Sequence, residues 1–360
     1  HGLREAGLPG PGNGRRLLVG SHIDTVVDAG RYDGNLGVVA GILAVEELNR
    51  RGVALPFGLE VLAFGDEEGV RFPKTLLSSS VVSGALRDPM LDLADPTGIS
   101  IRAALAAFGG DPDALAAEAY RPEETIGYLE VHIEQGPVLE REGRALGVVT
   151  AIAGQSRFRV AVTGEAGHAG TVPMAIRRDA LAAAAEMVLA VEAVGQGQDE
   201  SSALVATVGE LRALPGASNV IPGEVRFSID LRAAADPVRE RAAAEIRQRI
   251  GAIAALRGVA ASVETVHEKP VATCGPALVE TIAGAVGAVT GAPARRLMSG
   301  AGHDGQAMAH LCPFGMIFVR CRGGISHNPA EYAAPDDMGL AVAALVETIL
   351  AIARAPDSAV

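Results

Sequence analysis

Short apolar runs recur along the chain, and several of them close on a polar cluster instead of a plain turn. Runs this short suit buried strands better than helices. Arg15–Gly20 (RRLLVG) reads as such a strand and ends at Ser21-His22, while Leu59–Phe64 (LEVLAF) delivers Asp66-Glu67-Glu68 at its carboxyl end. Between them, Leu36–Asn49 repeats apolar residues at helical spacing and stops just before Gly52, a natural helix end. Strand, helix, strand at this spacing predicts a βαβ unit, in which ligands gather beyond the carboxyl ends of the strands. Tyr128–Ile133 extends the sheet and carries His132, and Gly315–Arg320 (GMIFVR) feeds the loop that holds His327. Asp88–Thr125, rich in Ala, Pro and Asp, predicts helices and loops of the same domain.

The middle of the chain has a different rhythm. Phe158–Gly164 predicts a strand, and Pro173–Val194 a helix with Pro in its first turn. Leu204–Leu211 and Val225–Arg232 predict paired strands. Asp236-Pro237 opens a second helix to about Leu256, and Ala261–His267 returns as a strand. The order βαββαβ is ferredoxin-like, and its ends lie close together, which suits insertion into a larger domain. The expected architecture is α/β: a catalytic domain of residues 1–153 and 268–360, interrupted by an inserted domain of 154–267.

Composition changes this picture in a few places. With 44 Gly, 3% aromatics and no Trp, the core must be built from Ala, Val, Leu and Ile, as in a helix-covered sheet. A net charge of −12 argues against nucleic acid or an anionic membrane face as the main partner, and bound cations would offset part of it. Glu186, Glu192 and Glu347 interrupt the longest apolar stretches, so no membrane span is expected. Cys274, Cys312 and Cys321 are odd in number and form no CxxC pair. That pattern indicates neither a disulfide framework nor a thiolate zinc site, and it fits a reducing, cytoplasmic location. The chain opens on His1 without a basic-then-apolar leader, and it is expected to be part of a longer protein.

Candidate chemistry lies at the strand ends: His22 in GSHIDTV, Asp33 in GRYDG, Glu68 in FGDEEG, His132 in EVHIEQG and His327 in GISHNPAE. Two carboxylates and three imidazoles are what a pair of divalent cations needs when one carboxylate bridges them. Each residue alone has an ordinary reading. His22-x-Asp24 is also a surface turn, Asp33-Gly34 a common turn dipeptide, His132 a satisfied strand histidine, and His327 an exposed residue ahead of Asn328-Pro329. The pair Glu67-Glu68 is more telling, because no turn requires two adjacent carboxylates after an apolar strand. One can bind metal while its neighbour serves as general base.

Longer strings carry a resemblance. GSHIDTVVDAGRYDG, FGDEEGVRF, YLEVHIEQGPVLE, GHAGTVPM, ASNVIPGEV, SGAGHD and VRCRGGISHNPAE together resemble the amidase branch of the M20 metallopeptidase-like family. That branch contains allantoate amidohydrolases, N-carbamoyl-L-amino acid hydrolases and β-ureidopropionases, and the likeness runs from about Arg15 to the C-terminal helix. It implies a zinc-peptidase-like mixed sheet with an inserted ferredoxin-like dimerisation domain that closes as a lid over the substrate. It further implies that His22 and His132 bind one divalent cation, Glu68 and His327 a second, and that Asp33 bridges them. Glu67 would be the general base and Asp24 the carboxylate that orients His22. His168 of GHAGT, Asn219 of SNVIP and Arg232 of DLR would hold the carbamoyl and carboxylate groups of the substrate. Gln135 of HIEQG and the backbone near Gly302 of SGAGHD would complete the pocket. N/O ligands suit Mn²⁺, Zn²⁺ or Co²⁺ alike. The strings look most like the allantoate enzymes, with N-carbamoyl-L-amino acid hydrolysis as the alternative. A dinuclear exopeptidase is disfavoured by HIEQG and SNVIP, and an inactive scaffold that keeps only the fold is disfavoured by the full ligand set.

Overall fold

The computed structural model describes residues 2–4, 14–197 and 202–355, in two compact units. One unit comprises the described residues up to Ile152 and from Ala272 onward; the other is Ala153–Val271.

In chain order, the first unit begins with β1 (Gly2–Arg4), β2 (Arg16–His22), α1 (Asn35–Arg50), β3 (Gly58–Phe64), α2 (Leu77–Val82) and α3 (Ile101–Phe108). It continues through β4 (Thr125–Ile133), α4 (Val138–Arg141) and β5 (Leu146–Ile152). The second unit holds β6 (Gly154–Thr163), β7 (Gly167–His168), α5 (Ala180–Gln196), β8 (Val205–Thr207), β9 (Leu211–Leu214), β10 (Val220–Ile221), β11 (Glu224–Ala233), α6 (Asp236–Arg257) and β12 (Ala260–Lys269). The chain then returns through β13 (Ala272–Thr273), α7 (Pro276–Thr290), β14 (Arg295–Ser299), α8 (Gly305–Met308), β15 (Phe314–Val319) and α9 (Pro335–Arg354).

The first sheet runs β1-β3-β2-β4-β15-β5-β13, with β14 also paired to β5. Strands β3, β2, β4 and β15 are mutually parallel, whereas β5 lies antiparallel to β15, so the sheet is mixed. Strand β4 is buried along its whole length, which explains why its sequence is apolar without a clean alternation. Helix α1 packs unusually close. A methyl added at Gly37 would overlap the carbonyl of Val131 and crowd the side chain of Ser21. That approach brings the start of α1 over the ends of β2 and β4.

The second unit is a five-stranded antiparallel sheet in the order β12-β6-β11-β8, with β9 also on β11. Burial alternates along β6 and β11, and the inward residues meet α5 and α6 in a core that includes Val160, Val162, Met187, Ile229 and Ile246. The βαββαβ order is present.

Some local expectations shift. The helix expected from Pro173 begins at Ala180, because Asp179 caps it by accepting from the N–H groups of Leu181 and Ala182; Pro173 instead precedes a short 3₁₀ turn. The single strand expected over 204–211 is two, β8 and β9, each pairing with β11 across an irregular stretch that contains Gly209. Helix α6 starts at Asp236, but that carboxylate turns to Arg239 and the N–H of Val271 instead of capping the first turn. Strands β5 and β14 and helix α7 carry no expectation from the sequence reading. No helix among the described residues is long and apolar enough to cross a membrane.

Candidate metal centre

The sheet assembles the candidate residues by register. In the parallel pair β2/β4, Val19 stands opposite Leu129, so three residues further on His22 and His132 emerge together at the strand ends. On the other side of β2, Phe64 of β3 pairs with His22, and the chain beyond it supplies Glu67 and Glu68. Asp33 lies just ahead of α1, where the positive end of the helix favours an anion. His327 enters on the loop after β15.

Asp33 divides its carboxylate between two groups. Its Oδ1 is 3.5 Å from Nε2 of His22 and 3.1 Å from Nε2 of His132. Its Oδ2 is 3.2 Å from Nε2 of His327, and that nitrogen is 3.5 Å from Oε1 of Glu68. The ligand atoms of His22, Asp33 and His132 lie within 4.8 Å of one another, as do those of Asp33, Glu68 and His327. The five residues expected as ligands are thus together, with the expected bridging residue in the middle.

The tautomers test whether cations fit here. Nδ1 of His22 lies 2.8 Å from the carbonyl of Asp24, and Nδ1 of His132 lies 2.9 Å from the carbonyl of Ile133. A carbonyl only accepts, so each Nδ1 carries a proton, and in its neutral form each ring would turn an Nε2 lone pair inward. Those two Nε2 atoms are 3.4 Å apart and share the Asp33 oxygen. Two lone pairs and a carboxylate facing one another repel unless positive charge stands between them, and the donor set fits a divalent ion. Protons respond to the same field. Burial works against charge on His22, but Asp33, Glu67, Asp304 and the Asp24 carbonyl outweigh it and push its pKa up to about 10. His132 is raised in the same way against its own burial, and His327 is raised chiefly by its contact with Asp33. Asp33 is held far below the usual carboxylate range by its three imidazoles, despite burial.

Glu67 is 7% exposed, and burial together with the nearby Asp304 carboxylate raises its pKa well above the ordinary value. A carboxylate of raised pKa beside a cation site is suited to accept and return a proton at neutral pH. Asp24 departs from expectation. Its backbone carbonyl orients the His22 ring, while its carboxylate accepts the N–H groups of Glu67 and Glu68, each at 3.1 Å. It anchors the Glu67-Glu68 loop and stands 4.0 Å from the ring. Gln135 donates from Nε2 to Oδ2 of Asp33 at 2.9 Å. Three non-glycine residues in the left-handed region sit on this rim, Asp66, Gln135 and His327, a concentration of backbone strain that points to a functional site.

Beneath the rim lie polar residues that the sequence reading left unassigned. Glu130 accepts from Ser21 and from the N–H of Gly305, His303 meets Ser299 at 2.6 Å, and burial drives the pKa of Asp304 up to about 7. Gly302 is exposed in the loop that feeds His303 and Asp304 inward. At Gly305 a Cβ would stand 2.7 Å from the ring of Phe314, which accounts for glycine there.

His168, Asn219 and Arg232 belong to the second unit. His168 pairs with Val220 in the small β7/β10 ladder, and the carbonyl of Asn219 accepts the N–H of Ala169, so these two loops are neighbours. The N–H of Gly170 donates to Nδ1 of His168 at 3.0 Å. That bond leaves the proton on Nε2 of the neutral ring and makes His168, which is exposed, a donor. Arg232 lies on β11 and grips the Asp230 carboxylate with two bonds of 2.8 and 3.1 Å.

Known proteins resemble this chain over most of its length. An allantoate deiminase of Arabidopsis thaliana is 43% identical over 94% of this chain and 70% of its own length. An N-carbamoyl-L-amino acid amidohydrolase of Geobacillus stearothermophilus is 40% identical over 94% of this chain and 82% of its own. The crystal structure of a hydantoinase/carbamoylase-family amidase from Burkholderia multivorans superposes with a TM-score of 0.90 at 34% identity, covering 98% of this chain and 84% of that one. Residues 18–351 match the model of peptidase family M20/M25/M40, and the chain belongs to that family.

Proposed function

We propose that this chain is a two-metal amidohydrolase that hydrolyses the ureido C–N bond of allantoate, releasing ammonia and carbon dioxide. The observation that carries the reading is the divided Asp33 carboxylate, with Oδ1 facing His22 and His132 and Oδ2 facing His327. When bound, a pair of divalent ions supplies the positive charge that makes water acidic and polarises a carbonyl. Mn²⁺, Zn²⁺ and Co²⁺ all suit the ligand set. Glu67 takes the proton from the attacking water and returns it to the leaving nitrogen. A ureido carbonyl is resonance-stabilised and a poor electrophile, so a donor is needed at its oxygen, the role assigned here to Nε2–H of His168. Arg232, its guanidinium oriented by Asp230, binds the substrate carboxylate, with Asn219, Gln135 and the backbone near Gly302 completing recognition. The active form is a homodimer, and three buried free thiols favour a reducing, cytoplasmic setting.

N-carbamoyl-L-amino acids are the second reading, favoured by the Geobacillus stearothermophilus relative at 40% identity. Both substrates are carboxylates carrying a ureido group. An ammonia-release assay with Mn²⁺ supplied, comparing allantoate with several N-carbamoyl amino acids, separates them. Preferred turnover of allantoate is expected; preferred turnover of a carbamoyl amino acid installs the alternative, and inertness toward every ureido acid removes both.

A further inference from the structure

We propose that Glu331 is a positioning residue that ties the two halves of the metal centre together and fixes their spacing. The proposal rests on the two-ion reading above. Glu331 is 5% exposed, and a buried carboxylate is costly unless strong donors surround it. Its Oε1 accepts the backbone N–H groups of Tyr32 at 2.8 Å and Asp33 at 3.1 Å. Its Oε2 accepts the hydroxyl of Ser326 at 2.9 Å. One end therefore holds the peptide of the shared ligand Asp33, and the other holds the residue next to His327. The two loops are nearly the whole chain apart in sequence, and a single side chain spans them.

The surroundings are shaped for this link. A methyl at Gly30 would overlap the Glu331 carboxylate, so the Asp33 loop can close on it only with glycine at that position. Ser326 also lies 3.1 Å from Oδ2 of Asp33 and accepts from Nε2 of Gln135 at 3.1 Å. Its one hydroxyl proton thus has two carboxylates to choose between. Were Asp33 to share its electrons with bound cations, Glu331 would be the better acceptor. The Ser326 proton would then turn toward Glu331 and hold the His327 loop more firmly.

The test is titration of the ion-free protein with Mn²⁺, and with Zn²⁺ as a second probe, by calorimetry and by electron paramagnetic resonance of the Mn²⁺ form. Wild type should take up two ions with an exchange-coupled spectrum; failure to do so removes the two-ion reading itself. In Glu331→Ala the ion on the His327 side should bind about 10- to 100-fold more weakly, the usual cost of losing an outer partner of a ligand, and the coupled spectrum should give way to a single-ion one. The other ion should keep nearly its wild-type affinity. Adding Glu331→Ala to His327→Ala, which deletes the weak ion outright, should change the remaining ion little. Ser326→Ala should shift the same ion in the same direction. Glu331→Gln, which keeps the shape but reverses the contact to Ser326, serves if the alanine variant does not fold. Wild-type affinity for both ions, or equal weakening of both, would overturn the proposal and leave Glu331 an ordinary interior contact.

Discussion

Glu67 and Glu68 are adjacent, yet their surroundings separate their roles. Glu68 approaches His327, while Glu67 is buried beside Asp304, where a proton is held more readily. Glu67→Gln is expected to keep its metal and lose roughly two to four orders of magnitude in turnover, the range for a positioned general base. Metal analysis beside a rate measurement checks it, and near-normal turnover would refute the assignment. A second expectation concerns the ion-free protein. The pKa of His22 is raised from 6.5 to about 10, so its pairing with Asp33 stabilises the fold fully below pH 6.5 and is lost as pH climbs toward 10. Asp33 has the opposite sign, its contribution being present above its unfolded pKa and lost only in acid. Thermal melts of chelated protein should therefore fall between pH 6.5 and 10, and His22→Gln should flatten that fall. The ligand types were legible from sequence because few residues can serve as metal ligands. The second task of Asp24 was not, since a backbone carbonyl performs the service its carboxylate was expected to give. Arg320, just beyond β15, is gripped by Asp337 at 2.8 and 3.0 Å, a pairing the sequence could not reveal.

Elements explain how residues so scattered meet. β2, β3 and β4 are parallel, so one edge of the sheet collects three loops, and α1 docks close enough to bring Asp33 against two of them. Gly34 is the hinge of that docking. Its φ is +68°, its N–H is 3.3 Å from Nε2 of His132, and a side chain there would overlap the His22 ring. Gly34→Ala is expected to abolish uptake at the His22/His132 side. Gly52→Ala is the control: its φ is +62° but nothing lies within 4 Å of the added methyl, so backbone strain of about 1 kcal/mol should be its whole effect. Calorimetric titration of both variants decides the point, and equal behaviour would show that strain, not the ring, matters. The sheet strands that end on ligands were visible as apolar runs. β5 and β14 were not, because RRLMS is too short and polar to stand out as an apolar run and the pairing of the two strands is set across more than a hundred residues. The start of α5 was misjudged because proline and aspartate both mark helix starts, and only the structure shows that Asp179 holds the cap.

At the scale of the molecule, β12 and the β8/β9 pair form the edges of the second sheet, and strand edges of this kind invite pairing with another chain. If His168 serves the active site of a partner subunit, mixing inactive His168→Ala with inactive Glu67→Gln chains should restore activity in sites that retain both residues. Verified heterodimers that stay inactive would place His168 within its own chain's chemistry or outside it altogether. The βαββαβ order was readable because helical and strand periods alternate cleanly there. The insertion and the nearness of its ends were expected too, whereas the rung of the first sheet that sets that nearness was not. Ile152 and Ala272 face each other as antiparallel partners across β5 and β13. The points where the chain leaves and returns are therefore about 5 Å apart, the spacing of a single hairpin rung. A junction that narrow works as a socket. Any module whose own termini nearly touch could be grafted there, or a tight turn could close the gap, without moving a strand that bears a ligand.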